Sequence, residues 1–166
     1  MQTSESLNEI SVLIKKAMEE IHKITHNIGN SYIEDIGLDE ALKDLAHKTN
    51  LLNIFKVELK LAVEGLEIPA PVALTIYRFV QEQLSNILNY AEASSVIIQL
   101  YPTGDDLVLD ITDDGKGGNL DEIKKGIGLL IMQNRTKAYN GKVEFNTSPG
   151  KGFRVLAKLP IKQLQK

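Results

Sequence analysis

The order in which strands and helices follow one another is the feature that most constrains the fold of this chain. Alternation of apolar residues with Lys56, Glu58 and Lys60 predicts a half-buried strand, and Pro69 and Pro71 predict the start of a long helix. Predicted strands cover residues 55–61, 96–101, 107–112, 143–146 and 153–159, and predicted helices cover about 38–48, 69–91 and 127–139. Because strands occur in adjacent pairs between helices, we expect an α/β fold, a two-layer sandwich of one mixed sheet with helices on one face.

A heptad pattern precedes this alternation and predicts a long N-terminal helix. Its apolar residues alternate spacings of three and four, which places them along one seam. They are Leu7, Ile10, Ile14, Ala17, Ile21, Ile24 and Ile28. The helix either pairs with other helices, as the strict period favours, or packs against its own domain. We expect residues 1–30 to form a separate element and residues 37–166 to form the main domain.

Three glycine clusters follow the polar face of the helix predicted at residues 69–91. On that face Glu82 and Asn86 are four residues apart, so their side chains meet. Carboxylate and amide oxygens suit Mg²⁺, although a solvated helix face is the ordinary alternative. Glycine turns let a backbone approach a ligand closely and supply amide donors to anions. The clusters lie at residues 113–117, 126–129 and 150–152.

Each of these features also has an ordinary structural interpretation. Asp113 ends a predicted strand. Its carboxylate either accepts a hydrogen bond from an exocyclic amine or belongs to a simple Asp-Gly turn. Gly126 and Gly128 either aim a helix N-terminus at an anion or serve only as the helix entry. Gly150 and Gly152 are explained by a hairpin turn alone. Their joint order on helix, strand and loop predicts a nucleotide site.

Composition argues against several other classes of protein. The net charge of −3 provides no basic surface for nucleic acid, and the absence of cysteine excludes disulfides and thiolate metal sites. The three histidines lack the spacing of a zinc site. The sequence contains no run of about 18 apolar residues that could span a membrane. It also contains neither a P-loop nor a GxGxxG motif after a first strand. These observations fit a cytoplasmic location and leave open whether a longer parent protein is anchored in a membrane.

In combination, the motifs resemble those of bacterial two-component sensor histidine kinases. Four segments match the sequence boxes of the subfamily paired with helix-turn-helix response regulators. They are the N-box at residues 77–94, the G1 box at 113–117, the G2 region at 126–141 and the last glycine box at 148–155. Residues 20–42 resemble the end of the second dimerisation helix and its link to the ATPase domain. The resemblance implies the Bergerat ATP-binding fold, in a kinase fragment whose phosphoacceptor histidine lies upstream of this chain.

The resemblance also implies a role for each candidate residue. Asp113 would read the amino group of adenine, and Asn86 would hold the Mg²⁺ that bridges the phosphates. Glu82, the catalytic residue, would help to hold that ion and would orient its water shell or the attacking group. Gly117 would be the hinge of a short ATP lid. The remaining nucleotide-binding residues are Asn89, Gly115, Gly126, Ile127, Gly128, Leu129, Gly152 and Phe153.

The implied activity is transfer of the γ-phosphoryl group of ATP to a histidine, for relay to an aspartate of a response regulator. The implied partners are ATP or ADP with Mg²⁺, a second copy of the full-length kinase and that regulator; neither nucleic acid nor membrane contact is expected of this fragment. Two alternatives remain open: a serine kinase of the anti-sigma-factor type on the same fold, and an interaction domain with a degenerate nucleotide site. Asn89 favours the second alternative, because the family usually has a basic residue there.

Overall fold

The structure is a computed structural model that describes residues 32–123 and 127–161, without the side chains of Glu122 and Ile127. The predicted N-terminal helix of residues 1–30 lies outside this part, as does Gly126. Within the described ranges, no helix combines the length and apolar character needed to cross a bilayer.

The described residues contain one mixed five-stranded sheet, which confirms the predicted fold class. Its strands are β1 Lys56–Leu61, β2 Ser95–Thr103, β3 Asp106–Asp113, β4 Lys142–Thr147 and β5 Phe153–Pro160. They lie in the order β1-β2-β3-β5-β4. Strands β1 and β2 are parallel, since a helix connects them, and the other neighbours are antiparallel. The pairs predicted from the sequence are therefore present, and each of their strands is one to three residues longer than predicted, whereas β1 begins one residue later than predicted.

Four α-helices follow Gly37 in the described part of the chain. They are α1 Leu38–Leu51, α2 Ala70–Asn86, α3 Leu120–Ile123 and α4 Ile127–Ala138. Pro69 is the N-cap residue of α2, and Pro71 lies in its first turn, where a proline has no helical N–H partner to lose. The predicted helix does reach Ala91, but residues Ile87–Ala91 form a π-helical turn instead of continuing the α-helix. The short helix α3 lies in the loop after β3 and was not predicted.

A helical segment at residues 32–36 precedes α1 and packs onto the domain. The hydroxyl of Tyr32 donates to Asp44 at 2.8 Å, and its ring contacts that of Tyr77 with centroids 6.3 Å apart. Gly37, with φ of 81°, separates this segment from α1. Residues just before the expected domain start therefore already contact the main domain.

The central strand β3 carries the core on one face and a charged pair on the other. Leu107, Leu109 and Ile111 alternate along it and are fully buried beneath the helices. Asp113 is two residues further along, so the same alternation turns its side chain toward the helix layer. Burial of each of these apolar side chains stabilises the fold by about 1.5–3 kcal/mol, so a slip of one residue is strongly disfavoured.

On the opposite face of β3, Asp110 binds Arg154 of β5. The guanidinium donates from Nε to Oδ1 at 2.9 Å and from Nη2 to Oδ2 at 2.6 Å. The carboxylate is buried, whereas half of the Arg154 side chain is exposed. Because a register shift would separate this two-bond pair, it reinforces the alignment of β3 with β5.

Candidate nucleotide site

A cavity of about 350 Å³ lies where the C-terminal ends of α2 and β3 meet the N-terminal ends of α4 and β5. Several of the predicted site residues line it. They are Asn86, Asp113, Gly117, Gly128, Leu129 and Phe153. These residues come from four separate parts of the sequence, and the fold brings them around one space of the size usual for small-molecule sites.

The carboxyl group of Asp113 is the most buried charge-bearing group of this cavity, with 3% of the residue exposed. Its Oδ1 accepts from the backbone N–H of Gly115 at 2.9 Å, while its Oδ2 has no hydrogen-bond partner in the protein. Burial raises the pKa of Asp113, and the N–H groups of Gly115 and Phe153 oppose that rise. One carboxylate oxygen is thus fixed by the turn, and the other is buried without a hydrogen-bond partner.

The neighbouring Asp114 has a different role. Its Oδ1 accepts from the backbone N–H groups of Ser94 and Ser95, both at 2.8 Å. These hydrogen bonds, that of Ser95 above all, lower the pKa of Asp114. The second aspartate of the turn therefore ties the end of β3 to the start of β2 and is not directed at the cavity.

Backbone hydrogen bonds join the loop after β3 to the turn before β5. The N–H of Gly152 donates to the carbonyl of Gly115 at 2.9 Å, and the N–H of Gly150 donates to that of Lys116 at 2.7 Å. Gly152 has φ of 67°, and a Cβ there would collide with the carbonyl oxygen of Asp113. Gly152 thus packs against the backbone of Asp113 and does not itself line the cavity.

The N-terminus of α4 lies against the polar face of α2. A Cβ on Gly128 would collide with Oε1 of Glu82 and would lie 3.8 Å from Nδ2 of Asn86. A larger residue would force the Glu82 carboxylate to move, so the predicted pair and the second glycine cluster do meet. Ile127 begins the helix and Gly126 lies outside the described residues.

The face formed by Glu82 and Asn86 offers few ligands to a metal. Among the described residues, no group of three or more histidine, cysteine, aspartate or glutamate side chains could hold an ion. One carboxylate and one amide oxygen suit Mg²⁺ only when phosphates and water complete its shell. The residues present therefore fit a metal that arrives with a nucleotide.

Positive charge lies beside this face. Desolvation lowers the pKa of Arg135 on α4, and nearby Arg78 lowers it further, while Glu82 acts in the opposite direction. A guanidinium keeps its charge even so. Two arginines consequently lie close to Glu82, the candidate catalytic residue.

Asn89 does not line the cavity. It is exposed, and its side-chain amide donates to the carbonyl of Ser85 at 2.8 Å. A regular α-helix would carry Asn89 round to the side of Asn86, but the π-helical turn has more residues per turn. Its assignment as a nucleotide-binding residue stays a prediction.

Sequence reasoning missed five residues that line the cavity: Gln83, Ile87, Tyr90, Ala91 and Ile123. The π-helical turn contributes three of them, and no sequence pattern predicted that turn. Ile123 belongs to the unpredicted helix α3. Gln83 was the most accessible to reasoning, because it precedes Asn86 by three residues and so shares a helix side with it.

Known proteins are similar to this chain in sequence and in fold. Residues 72–163 match the family model of histidine kinase-, DNA gyrase B- and HSP90-like ATPases. The signal transduction histidine-protein kinase/phosphatase DegS of Brevibacillus brevis is 26% identical over 156 residues, which cover 93% of this chain and 40% of DegS. This chain therefore spans less than half the length of that relative.

Solved structures share the fold. The histidine kinase domain of the blue-light activated kinase EL346 from Erythrobacter litoralis superposes with a TM-score of 0.62 at 23% identity, over 76% of this chain and 62% of that domain. The histidine kinase AdeS of Acinetobacter baumannii gives a TM-score of 0.61 at 16% identity, over 91% of this chain and 85% of AdeS. At these identities the likeness concerns the fold alone.

Gly152→Ala should damage the site more than Gly150→Ala. Both glycines have positive φ, so alanine is strained at either position by about 1 kcal/mol. A Cβ at Gly150 meets nothing within 4 Å, whereas one at Gly152 meets the backbone of Asp113. We expect the melting temperature to fall further for Gly152→Ala, and nucleotide binding measured by calorimetry to fall for that variant only. Equal losses in the two variants would show that the contact with Asp113 is unimportant.

Asp113→Asn should remove the pH dependence that this carboxyl group gives to both stability and nucleotide binding, and the two effects have opposite signs. Because the native pKa of Asp113 is raised above 3.8, the folded state holds this proton more tightly than the unfolded state. The free energy of unfolding therefore falls as pH rises from about 3.8 through the native pKa, and Asp113→Asn should remove that decline and melt higher at neutral pH. Adenine nucleotide should instead bind the wild type less well as pH falls through the native pKa, and the variant should lose this dependence. A wild-type affinity that is insensitive to acidification over that window would exclude Asp113 as the acceptor.

Proposed function

Because this chain belongs to the family of histidine kinase-, DNA gyrase B- and HSP90-like ATPases, we propose that it is the ATP-binding catalytic part of a bacterial two-component sensor histidine kinase. The observation that carries the proposal is the buried carboxylate of Asp113, whose Oδ2 is an open acceptor in a cavity that Asn86 also lines. A base with an exocyclic amine would satisfy this acceptor. The alignment with a histidine-protein kinase, which covers 93% of this chain at 26% identity, supports the same function.

In the proposed complex, adenine lies beside Asp113 between apolar groups. Leu129 of α4 and Phe153 of β5 line the same cavity and suit the faces of a purine ring. The phosphates then extend toward the first turn of α4, where Gly128 lies against Glu82. Backbone N–H groups of a helix N-terminus are suited to bind phosphate there. We propose Gly117, whose φ is 57°, as the hinge of the loop that would close over them.

We propose that Asn86 holds Mg²⁺ with the phosphates and that Glu82 orients the ion's water shell or the attacking group. When bound, the ion would neutralise the negative charge of the β- and γ-phosphates. The contact of Glu82 with the first turn of α4 supports a position close to the γ-phosphate. Phosphoryl transfer requires mainly such positioning and charge neutralisation from the protein.

The acceptor in this proposal is a histidine upstream of this chain, on the first dimerisation helix of the parent kinase. An imidazole nitrogen attacks the γ-phosphorus, the bond to the β–γ bridging oxygen breaks, and ADP leaves. Residues 1–30 would form the second dimerisation helix and residues 37–166 the catalytic domain. The parent kinase would act as a cytoplasmic homodimer, or one with its catalytic part in the cytoplasm, and pass the phosphoryl group to a response regulator.

Asn86→Ala should abolish the Mg²⁺ dependence of ATP binding. We expect wild-type dissociation constants between about 1 μM and 1 mM, or about −8 to −4 kcal/mol, and a loss of at least about tenfold in the variant with Mg²⁺ present. Calorimetry with and without EDTA measures both effects. Asn146→Ala is a matched control, because that amide is exposed on β4 and should leave binding unchanged. Unaltered Mg²⁺-dependent binding by Asn86→Ala would remove Asn86 from the site.

Phosphoryl transfer should occur to an added acceptor and not within this chain. His22, His26 and His47 are followed by Lys23, Asn27 and Lys48, so none has the adjacent acid that can take a proton from an attacking imidazole. Incubation with γ-labelled ATP, Mg²⁺ and a separately produced dimerisation domain should place acid-labile label on that domain. Stoichiometric acid-labile label on this chain would contradict the proposed division of labour, and label on serine would favour a serine kinase.

A further inference from the structure

A second buried acceptor lies in the wall of the nucleotide cavity and has no role in the function proposed above. Gln83 is on α2, one turn before Asn86, and only 2% of it is exposed. It lines the cavity, yet its Oε1 has no hydrogen-bond partner in the protein. A buried polar atom without a partner destabilises a fold, so such an atom in a cavity wall indicates a partner that arrives from outside.

Two residues that line the cavity therefore each carry a buried acceptor without a partner, Oε1 of Gln83 and Oδ2 of Asp113. The amino group of adenine is a primary amine with two N–H groups on one nitrogen. Its number of donors equals the number of open acceptors. Guanine has a carbonyl oxygen at the same position, which offers no donor and would leave both acceptors unsatisfied.

We propose that Gln83 is a second adenine-reading residue, whose Oε1 accepts one N–H of the amino group while Oδ2 of Asp113 accepts the other. The inference rests on the proposed function, because it requires ATP to bind in this cavity. A site built to hydrogen-bond a ligand group rejects analogues that lack the group, since its own buried polar atoms then stay unpaired. Gln83 would thus share with Asp113 the selection of adenine over other bases.

Gln83 is suited to this role by its place in the fold. Its neighbours on α2, Val80 and Leu84, are fully or almost fully buried, so the helix is anchored on both sides of it. A neutral amide also adds an acceptor without placing a second negative charge beside Asp113, whose pKa burial already raises. Glutamate at this position would add like-charge repulsion.

The test compares two nucleotides that differ only in the amino group. They are ATP and purine riboside 5′-triphosphate, which carries hydrogen in place of the amine. The variants are Gln83→Leu and Gln83→Met, both close in volume to glutamine, so at least one should keep the cavity intact. The matched control is Gln99→Leu, which alters a half-buried glutamine on the opposite face of the sheet. Calorimetry in Mg²⁺ gives the ratio of the two affinities for each protein.

Wild type and Gln99→Leu should favour ATP by the same ratio, and both Gln83 variants should reduce that ratio about threefold to tenfold, as expected for one lost hydrogen bond. The Gln83 variants should also melt higher without nucleotide, because an unpaired buried acceptor has been removed. If Gln83 had only a structural role, its loss would weaken the binding of both nucleotides alike. The same would hold if a water molecule occupied the acceptor whether or not nucleotide is bound. Either result overturns the inference.

Two further outcomes separate this inference from the proposed function. ATP binding by the wild type with an unchanged ratio in both Gln83 variants would refute the role of Gln83 and leave the kinase assignment intact. Absence of ATP binding by the folded wild-type chain would refute the proposed function, and the role of Gln83 with it.

Discussion

The alignment of β3 between β2 and β5 is the constraint on which the site depends. Alternation along β3 buries Leu107, Leu109 and Ile111 beneath the helices and carries Asp113 to the same face at the strand end. A slip of one residue would expose the apolar side chains and turn Asp113 away from the cavity. The pairing of Asp110 with Arg154 on the opposite face resists the same slip. The core and the carboxylate of the site are thus held by one register.

The site itself is built largely from backbone. Hydrogen bonds from Gly152 to Gly115 and from Gly150 to Lys116 hold two turns together that are more than thirty residues apart in sequence. The N–H of Gly115 satisfies one oxygen of Asp113, and the other oxygen has no partner. Gln83 adds a second open acceptor, so the folded chain carries unpaired polar atoms that are stabilising only when a suitable donor is bound. Under the proposed function, this local loss of stability lies where the nucleotide would bind.

Much of this arrangement could be predicted from the sequence. The paired strands and the long helix follow from apolar periods of two and of 3.6 residues, and the structure confirms the mixed sheet with its helix layer. The spacing of Glu82 and Asn86, and the strand that ends at Asp113, likewise depend on local geometry that neighbouring residues set. Gly128 was assigned to the site from its motif, but the sequence could not predict that this residue lies in close contact with Glu82. The family match confirms the kind of domain that the combined motifs indicated.

Other features depend on contacts between distant segments. The π-helical turn includes Tyr90, which lines the cavity wall, and leaves Asn89 outside it, whereas an unbroken α-helix would bring Asn89 closer to the side of Asn86. The open acceptor of Gln83 appears only when α2, β3 and α4 are packed together. The sequence by itself determined the elements, their faces and the nucleotide-binding character of the motifs, because those follow from periodicity and residue chemistry. Only the tertiary structure decided which polar atoms stay unpaired around the cavity, because hydrogen-bond satisfaction in a buried space depends on every segment that encloses it.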